Sequence, residues 1–337
     1  MKTLVTGGAG FIGSHLVDTL LEDGHHVFVV DNYYSGRDKN LDQARKIAAR
    51  KNLQLETFDA DISNALIWSK VPAVDAVFHT AAQTSVTVSV KESHRDFSWN
   101  VLASKFIIDY MRANSVKHFL YTNTAGALYG VPSQIPTPET HTLYPTSPYG
   151  ATKSFFETYI RALTVSLKSE GVYSNKPQDH NYFTWASLRL GNVYGPRQIT
   201  KGEAGVVPIF IEKLLANSTP TIFGSGKETR DYVHVADVVS AFMHIFKLQQ
   251  QSPIDDAYNV GTGQETQTQE VFEYVKNNMQ GKTQTDKSIC APLRPGELER
   301  SCLDISKLKK LGWSPLWSFK DGVKDTVEHY LEFEKQS

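Results

Sequence analysis

The chain has 337 residues, of which 40% are hydrophobic and 21% are charged. This composition excludes a disordered or collagen-like protein, and the length suits one large α/β unit or about two domains. Thirty-five basic and 36 acidic side chains leave a net charge of −1, which favours neither nucleic acid nor an anionic membrane as a partner. A bound anion would therefore be held by a few local cations and backbone amides.

The cysteine spacing and the apolar runs bear on the compartment. Cys290 and Cys302 have no CxxC spacing, which predicts free thiols in a reducing compartment. The histidines show no paired metal-ligand spacing, so no metal site is predicted. A glycine cluster starts at Gly7, where a signal peptide would have its apolar core, and no apolar run approaches the roughly 18 residues of a membrane span. We expect a soluble, cytoplasmic protein.

The first half of the chain alternates between strand and helix patterns. Apolar runs predict strands at 4–5, 27–30, 53–58, 74–80 and 119–122, and helical spacing predicts helices at 11–21, 41–50 and 97–113. Such alternation implies parallel strand pairing with right-handed crossovers. The predicted fold is α/β, with a doubly wound parallel (Rossmann) sheet.

The alternation of strand and helix patterns ends after Gly130. Five prolines between 132 and 148 predict a long surface loop. Beyond it, the patterns predict helices at 149–170, 206–216, 235–248 and 271–279, and strands at 183–190 and 221–223. We expect residues 1–185 to form the Rossmann domain, with sheet returns near 186–192 and 235–260, and residues 193–337 to form mainly a smaller mixed α/β domain for the substrate.

A glycine-rich turn connects the first strand to the first helix. Gly7, Gly10 and Gly13 form a GxxGxxG pattern, and the helix starts at Phe11 and Ile12. The glycines permit a tight turn, close approach of a pyrophosphate, and close packing of helix on strand. The amides at the helix N-terminus favour phosphate. The pattern predicts a dinucleotide site, although an isolated glycine-rich turn can also occur without a ligand.

Acidic residues at strand ends indicate which dinucleotide is bound. Asp31 ends the second strand, where a carboxylate accepts hydrogen bonds from an adenosine ribose and repels a 2′-phosphate. NAD is therefore favoured over NADP, with Arg37 keeping NADP as an alternative. Asp61 and Ile62 follow the third strand and are placed to meet the adenine, the alternative for Asp61 being a helix cap.

Tyr149 and Lys153 lie four residues apart at the start of a predicted helix and so share one face. A phenol has a pKa near ~10 and is a poor base at neutral pH. An ammonium ~4 Å away stabilises the phenolate by ~4 kcal/mol at an effective dielectric constant of ~20, which is about three pKa units. Such pairs are also common on solvated helix faces. We predict Tyr149 as a base, Lys153 as its partner, and Thr124 as the group that orients a substrate hydroxyl.

Five motifs then occur in one order and spacing: TGGAGFIG at 6–13, DN at 31–32, YGATK at 149–153, NVYGP at 192–196 and RDYVHV at 230–235. Over essentially residues 1–333 the chain resembles the extended short-chain dehydrogenase/reductase superfamily. Within it, the chain is most similar to the nucleotide-sugar epimerases of the UDP-glucose 4-epimerase group.

The resemblance implies NAD-dependent epimerisation at C4 of a UDP-hexose. Tyr149 would take the proton of the 4-hydroxyl as hydride passes to NAD, and the 4-ketosugar would turn its other face before hydride returns. Thr124 would be the hydroxyl donor, with Thr122 as the alternative. Further NAD contacts are implied for Asn32, Ser35, Gly36, Ala81, Ala82, Asn100 and Thr122.

The residues after Thr124 separate this activity from related ones. Ala125 and Gly126 stand where dehydratases have Asp-Glu and UDP-glucuronate decarboxylases have a glutamate, which disfavours both activities. A UDP-glucuronate 4-epimerase and an NAD(P)H-dependent nucleotide-sugar reductase stay open as alternatives. So does a non-catalytic NAD-binding regulator, which would need neither Tyr149 nor Lys153.

A nucleoside diphosphate brings about two negative charges, so dedicated cations are required. The resemblance implies two arginines, an amide donor, a ribose acceptor and three residues near the uracil, namely Arg230, Arg294, Asn192, Glu297, Thr221, Phe223 and Val207. Taken alone, each arginine would be a solvated surface charge. Arg197 has no clear assignment.

The resemblance also bears on the sugar and on assembly. Cys302 matches the position that limits the sugar pocket, and its small size implies that UDP-N-acetylglucosamine is accepted as well as UDP-glucose. The alternative is a buried structural thiol. By analogy with the family, apolar faces on the helices at 97–113 and 149–167 imply a homodimer.

Overall fold

The computed structural model describes residues 1–173, 182–199, 205–294 and 297–334. Within these ranges seven strands, numbered along the chain, form one parallel sheet: β1 (Lys2–Thr6), β2 (His26–Asp31), β3 (Leu55–Asp59), β4 (Ala76–His79), β5 (His118–Thr124), β6 (Thr184–Leu190) and β11 (Asp255–Val260). The strand order is β11-β6-β5-β4-β1-β2-β3. The predicted doubly wound α/β fold is confirmed. Strand β6 overlaps the first segment where a sheet return was expected, and β11 lies inside the second.

Helices cover both faces of the sheet and build the second part of the chain. They are α1 (Phe11–Glu22), α2 (Asp42–Lys51), α3 (Val86–Lys91), α4 (Ser93–Phe97), α5 (Ala103–Ala113), α6 (Gly126–Tyr129), α7 (Pro148–Tyr173), α8 (Val206–Leu215), α9 (Val235–Gln251), α10 (Thr268–Asn278), α11 (Ser306–Lys310) and α12 (Phe319–Glu334). Short 3₁₀ turns span Asp38–Leu41 and Ala65–Ser69, and a π-helical turn spans Ser98–Leu102.

Successive residues of the central strands face opposite layers. Val5 of β1 packs in one core cluster with Leu16 of α1 and Phe242 of α9. Its neighbour Leu4 packs in a second cluster with Ile107 of α5 and residues of α7. Burying each such side chain contributes about 1.5–3 kcal/mol, so the apolar runs fix the strands between two helical layers.

Three two-stranded sheets and a third core form the second part of the chain. The pairs are β7 (Asn192–Tyr194) with β10 (Tyr232–His234), β8 (Thr221–Phe223) with β13 (Ile289–Ala291), and β9 (Thr229–Arg230) with β12 (Thr266–Gln267). Residues of α8, α10 and α12 pack together around Phe210, Phe272 and Val323. We call this part the substrate lobe.

The proline-rich segment 130–148 is largely irregular, as predicted, but it does not lie wholly on the surface. Thr137 is buried, and its N–H donates to the carbonyl of Cys302 over 2.9 Å. The carbonyl of Thr137 accepts from the N–H of Asp304 and from Nδ2 of Asn259. This segment therefore joins the end of β11 to residues 302–304, which lie between β13 and α11.

Candidate active site

The turn between β1 and α1 requires glycine at two places. Gly7 has φ of +70°, and a Cβ there would lie 2.8 Å from Cα of Ala81. A Cβ at Gly13 would lie 2.1 Å from the carbonyl oxygen of Gly7. The helix cap is Gly10, and no side chain caps α1. The turn thus presents backbone at the N-terminus of a helix, where an anion is favoured.

A cavity of about 380 Å³ lies beside this turn. Most of the predicted cofactor residues line it: Gly7, Gly10, Phe11, Ile12, Gly13, Asp31, Asn32, Ser35, Asp61, Ile62, Ala81 and Ala82. Gly36, Asn100, Thr122, Tyr149 and Lys153 do not line it. The cavity therefore gathers the contacts expected for the dinucleotide and leaves the proton-transfer pair outside its walls.

Asp31 lies at the carboxyl end of β2 and is 7% exposed. Its carboxylate accepts from the N–H of Ala9 over 2.9 Å and from the N–H of Tyr33 over 2.8 Å. Burial raises the pKa of this carboxyl group. A Cβ at Gly36 would lie 2.9 Å from Oδ1 of Asp31, so a side chain at position 36 would displace the carboxylate. An acceptor at this strand end fits the ribose of a dinucleotide.

Asp61 lies in the turn before the 3₁₀ turn Ala65–Ser69. Its Oδ1 accepts from the N–H and the hydroxyl of Ser63, at 2.8 and 2.7 Å, whereas the cap of the 3₁₀ turn is Asn64. Its Oδ2 accepts from Nδ2 of Asn32 over 3.1 Å. Both Asp61 and Asn32 line the cavity, and the adenine contact of Asp61 stays a prediction.

Asn100 is placed differently from the expectation. Its Oδ1 accepts from the N–H of Gln83 over 2.9 Å, and its Nδ2 donates to the carbonyl of Gln83 and to Oδ1 of Asp96, each over 3.0 Å. The side chain is 2% exposed. Because its amide is already bonded to the backbone of the cavity wall, Asn100 positions that wall and does not itself line the cavity.

Lys153 is anchored between α7 and β5. Its Nζ donates to the carbonyl of Thr122 over 2.7 Å and lies 4.1 Å from the ring centroid of Tyr121. Burial lowers the pKa of Lys153 to about 7, against the raising effect of the Asp96 and Glu157 carboxylates. Tyr149 is half-buried one helical turn earlier. The structure thus sets both residues on the helix segment that packs over the end of β5.

The two candidate hydroxyls on β5 have different surroundings. The hydroxyl of Thr122 donates to the carbonyl of His79 over 3.2 Å, and Thr122 is 8% exposed. Thr124 is half-buried, and within the described ranges its hydroxyl has no hydrogen-bond partner, while its N–H donates to Oδ1 of Asn123. This difference favours Thr124 over Thr122 as the group that orients a substrate.

A buried ionic network behind these residues was not predicted. Arg189 of β6 donates to Glu157 of α7 over 2.5 and 3.1 Å, and both side chains are nearly inaccessible. Burial raises the pKa of Glu157, but the bonds from Arg189, Ser187 and Asn123 outweigh it and lower the pKa overall. The same Asn123 side chain accepts from the N–H of Thr124. The position of Glu157, one turn after Lys153, was the only available sequence signal.

The cavity also has a wall from the substrate lobe and one from the α3–α4 region. Arg197, left unassigned above, lines it and pairs with Asp18 of α1 over 2.6 Å. Tyr34, Arg95 and Trp99 also line it. No motif marks these three positions, and they were missed.

The substrate lobe carries two arginines that were predicted to bind the diphosphate, and one of them lies over an aromatic ring. The guanidinium carbon of Arg294 lies 3.9 Å from the ring centroid of Phe223. The N–H of Arg294 donates to Oε2 of Glu297 over 3.4 Å, and residues 295–296 lie outside the described ranges. Arg230 is half-buried, donates to the carbonyl of Thr229, and has no carboxylate partner among the described residues. Both arginines can meet an anion.

Three further predicted residues of the lobe differ in exposure. Asn192 is exposed on β7, and Thr221 is half-buried on β8. Val207 is fully buried in the third core cluster with Ile222 of β8, the strand that also carries Thr221 and Phe223. Its place near the uracil stays a prediction.

Cys302 lies in the interior beside Asp231. It is 2% exposed, and its sulfur lies 4.0 Å from Oδ2 of Asp231. Burial, together with the Asp231 and Glu265 carboxylates, raises the pKa of the thiol to about 12. The limit that Cys302 sets on the sugar pocket stays a prediction, as does the alternative of a structural thiol. The adjacent Ser301 is half-exposed, and neighbouring residues of an extended segment point to opposite sides.

The described residues contain neither a metal centre nor a membrane-spanning helix. Among those residues no group of three or more His, Cys, Asp or Glu side chains could hold a metal ion. In the same ranges no helix is long and apolar enough to cross a membrane.

Comparisons with known proteins agree with this geometry. The family model described as the NAD dependent epimerase/dehydratase family matches residues 3–261. The UDP-glucose 4-epimerase of Mycolicibacterium smegmatis is 38% identical over 331 residues, which is 98% of each chain. The crystal structure of UDP-glucose 4-epimerase with UDP-glucose from Thermotoga maritima has a TM-score of 0.85 and 36% identity, over 99% of this chain and 100% of that one.

A second solved structure carries a different sugar. The UDP-N-acetylglucosamine 4-epimerase from Methanobrevibacter ruminantium, in complex with UDP-N-acetylmuramic acid, has a TM-score of 0.84 and 30% identity, over 98% of both chains. The glycine turn that a Cβ would fill, and the Asp31 acceptor at the far end of the cavity, fit the NAD on which this family depends. The chain belongs to the NAD dependent epimerase/dehydratase family.

Proposed function

We propose that the protein catalyses epimerisation at C4 of a UDP-hexose with NAD as its cofactor. The observation that carries the proposal is the anchoring of Lys153 to β5, one turn from Tyr149, at the same edge of the sheet as the cofactor cavity. The similarity to UDP-glucose 4-epimerases over nearly the whole chain supports it.

Tyr149 is the proposed proton acceptor. It takes the proton of the sugar 4-hydroxyl and returns it after the ketosugar has presented its other face. Lys153 favours the phenolate by its charge. With a pKa of about 7, this lysine is only partly protonated at neutral pH, and Asp96 and Glu157 keep its cationic form accessible.

The remaining groups hold and orient the substrate. The hydroxyl of Thr124 bonds the sugar oxygen, while NAD, when bound, accepts hydride from C4 and gives it back. Arg230 and Arg294 neutralise the diphosphate, Phe223 and Thr221 meet the uracil, Asn192 donates an amide hydrogen bond, and Glu297 accepts from the ribose. Arginine suits the diphosphate because its planar donors match phosphate oxygens.

A conversion assay without added cofactor tests the proposal. Purified protein is incubated separately with UDP-glucose, UDP-galactose, UDP-N-acetylglucosamine and UDP-glucuronate, and the products are separated by chromatography. We expect the 4-epimer of UDP-glucose or UDP-galactose, with no net change in nicotinamide absorbance. Stoichiometric NADH or NADPH consumption would indicate a reductase, conversion of UDP-glucuronate alone would indicate the uronate epimerase, and no conversion with NAD bound would indicate a regulator.

We also propose a homodimer in the cytoplasm. The apolar side chains of Leu102, Phe155 and Val165 are 46%, 52% and 59% exposed on the helices of one face, and two such faces would bury one another. Sedimentation of the purified protein should give twice the mass of the chain, and a monomer would contradict the dimer. The free thiols of Cys290 and Cys302 support a reducing compartment.

A further inference from the structure

Two walls of the cofactor cavity contact each other through Tyr34, Arg95 and Trp99. Tyr34 belongs to the segment that follows β2 and carries Asp31, Asn32 and Ser35. Arg95 lies on α4, which belongs to the opposite wall, and Trp99 lies on the π-helical turn that follows it. All three side chains line the cavity.

The contact is a cation set against two aromatic rings. The guanidinium carbon of Arg95 lies 4.5 Å from the ring centroid of Tyr34 and 4.2 Å from that of Trp99. The two rings meet edge to face, with centroids 5.2 Å apart. Arg95 is also held by Glu92, at 3.0 Å, on its own wall. If the walls move apart, the Tyr34 ring must therefore separate from Arg95 and Trp99, which stay together on the other wall.

We propose that Tyr34, Arg95 and Trp99 form a clasp that slows the release of NAD from the cavity. The clasp joins the wall that carries the Asp31 acceptor to the wall that is fixed by Asn100. An occupant leaving on this side requires the Tyr34 ring to part from the guanidinium and the indole. The inference depends on NAD binding by the family and not on the identity of the sugar.

Slow release suits a redox-neutral cycle. Hydride removed from the sugar has to return from the same cofactor, because a cofactor lost in its reduced form leaves a ketosugar that cannot be reduced. An enzyme that oxidises one substrate and releases its cofactor has no such need. By slowing the release of NAD, the clasp would keep the reduced cofactor in place until hydride returns to the sugar.

The test measures exchange of bound NAD. Holoenzyme freed of unbound cofactor is mixed with an excess of radiolabelled NAD, and the label retained by the protein is followed with time. The variants are Arg95→Ala, Arg95→Lys, Tyr34→Ala and Tyr34→Phe, with Arg112→Ala, an exposed arginine of α5 that does not line the cavity, as the matched control.

Each cation–π contact is worth a few-fold in an equilibrium. We expect Arg95→Ala to exchange NAD about tenfold faster and Tyr34→Ala a few-fold faster, whereas Arg112→Ala stays within about twofold of the parent. Tyr34→Phe keeps the ring but loses the hydrogen bond between the phenol and Arg95, so it should fall between the parent and Tyr34→Ala. Arg95→Lys should fall between the parent and Arg95→Ala. In the double variant the two effects should be less than multiplicative, because both substitutions break the same contact.

Two results would overturn the clasp. One is an unchanged exchange rate in Tyr34→Ala, whose side chain is 65% exposed and whose loss leaves the core intact. The other is independent, multiplicative effects of Tyr34→Ala and Arg95→Ala. Failure of the sugar assay leaves this measurement readable, because exchange is followed without any UDP-sugar.

Discussion

The two parts of the molecule differ in how their predicted ligand contacts are built. In the cofactor part, the predicted contacts lie at the ends of parallel strands and at one helix N-terminus, so backbone geometry places Gly7, Gly13 and Asp31. In the substrate lobe, Asn192, Phe223 and Arg230 lie on strands of two or three residues, and the direction of each side chain decides its contacts. A motif at the end of a strand therefore locates a site, whereas a position on a short strand does not determine the direction of its side chain.

The largest expected effect concerns the cofactor part. A Cβ at Gly13 would lie 2.1 Å from the carbonyl of Gly7, so Gly13→Ala must displace the turn. We expect the purified variant to retain no NAD, measured as cofactor released on denaturation. Gly126→Ala is the matched control, since a Cβ there meets nothing within 4 Å, and it should keep the full complement. NAD retained by Gly13→Ala would show that the turn is not what holds the cofactor.

In the substrate lobe, the arginines should carry the binding of the diphosphate. Charge-assisted hydrogen bonds are worth about 1.5–3 kcal/mol each, so Arg230→Ala or Arg294→Ala should raise KM about 10- to 100-fold in steady-state assays. The control is Arg300→Ala, an exposed arginine paired with Glu265, which should change KM less than threefold. If all three substitutions changed KM equally, Arg230 and Arg294 would not bind the diphosphate more strongly than an ordinary surface arginine.

Lys153 gives the folded protein a dependence on pH. Its pKa in the folded state is about 7, and the ordinary value for lysine is ~10.4. Between these values the unfolded chain binds more protons than the folded chain, so this residue makes stability rise with pH. The expected contribution to the free energy of unfolding from pH 7 to pH 9 is about 2 kcal/mol.

Urea unfolding of the parent and of Lys153→Met at the two pH values measures this contribution. The increase in the free energy of unfolding from pH 7 to pH 9 should be about 2 kcal/mol smaller in Lys153→Met than in the parent. The exposed Lys105 of α5 provides the control, and Lys105→Met should show the same pH dependence as the parent. An identical pH dependence in Lys153→Met would mean that Lys153 titrates normally.

The smallest expected effect concerns the choice of sugar. Because the Cys302 side chain is buried against Asp231 and Ser301 is half-exposed, a tyrosine reaches the open side only at position 301. We expect Ser301→Tyr to lower turnover of UDP-N-acetylglucosamine relative to UDP-glucose, measured as a ratio of kcat/KM. Cys302→Tyr should overpack the interior and lower stability by about 1–3 kcal/mol without changing that ratio. The reverse pattern would assign the limit of the sugar pocket to Cys302.

Sequence reasoning located the sheet, the glycine turn and the acceptor at Asp31 because each depends on backbone rules that act over a few residues. It could not give the neighbours of Asn100, Val207 and Cys302, because these depend on how distant segments fold against one another. Asn100 bonds to the backbone of a cavity wall, and Val207 packs into a core. Two features join segments that are far apart in the chain: the Glu157–Arg189 pair and the clasp. No local sequence pattern predicts either of them.

The most direct test of the account is the substitution of Tyr149, the proposed base, by phenylalanine. General acid–base catalysis contributes about 10²- to 10⁴-fold, so Tyr149→Phe should lower kcat by that factor while NAD stays bound. Tyr144→Phe, at a tyrosine that is 73% exposed, should leave kcat unchanged. A Tyr149→Phe protein that converts UDP-glucose at more than half the parent rate would contradict the account.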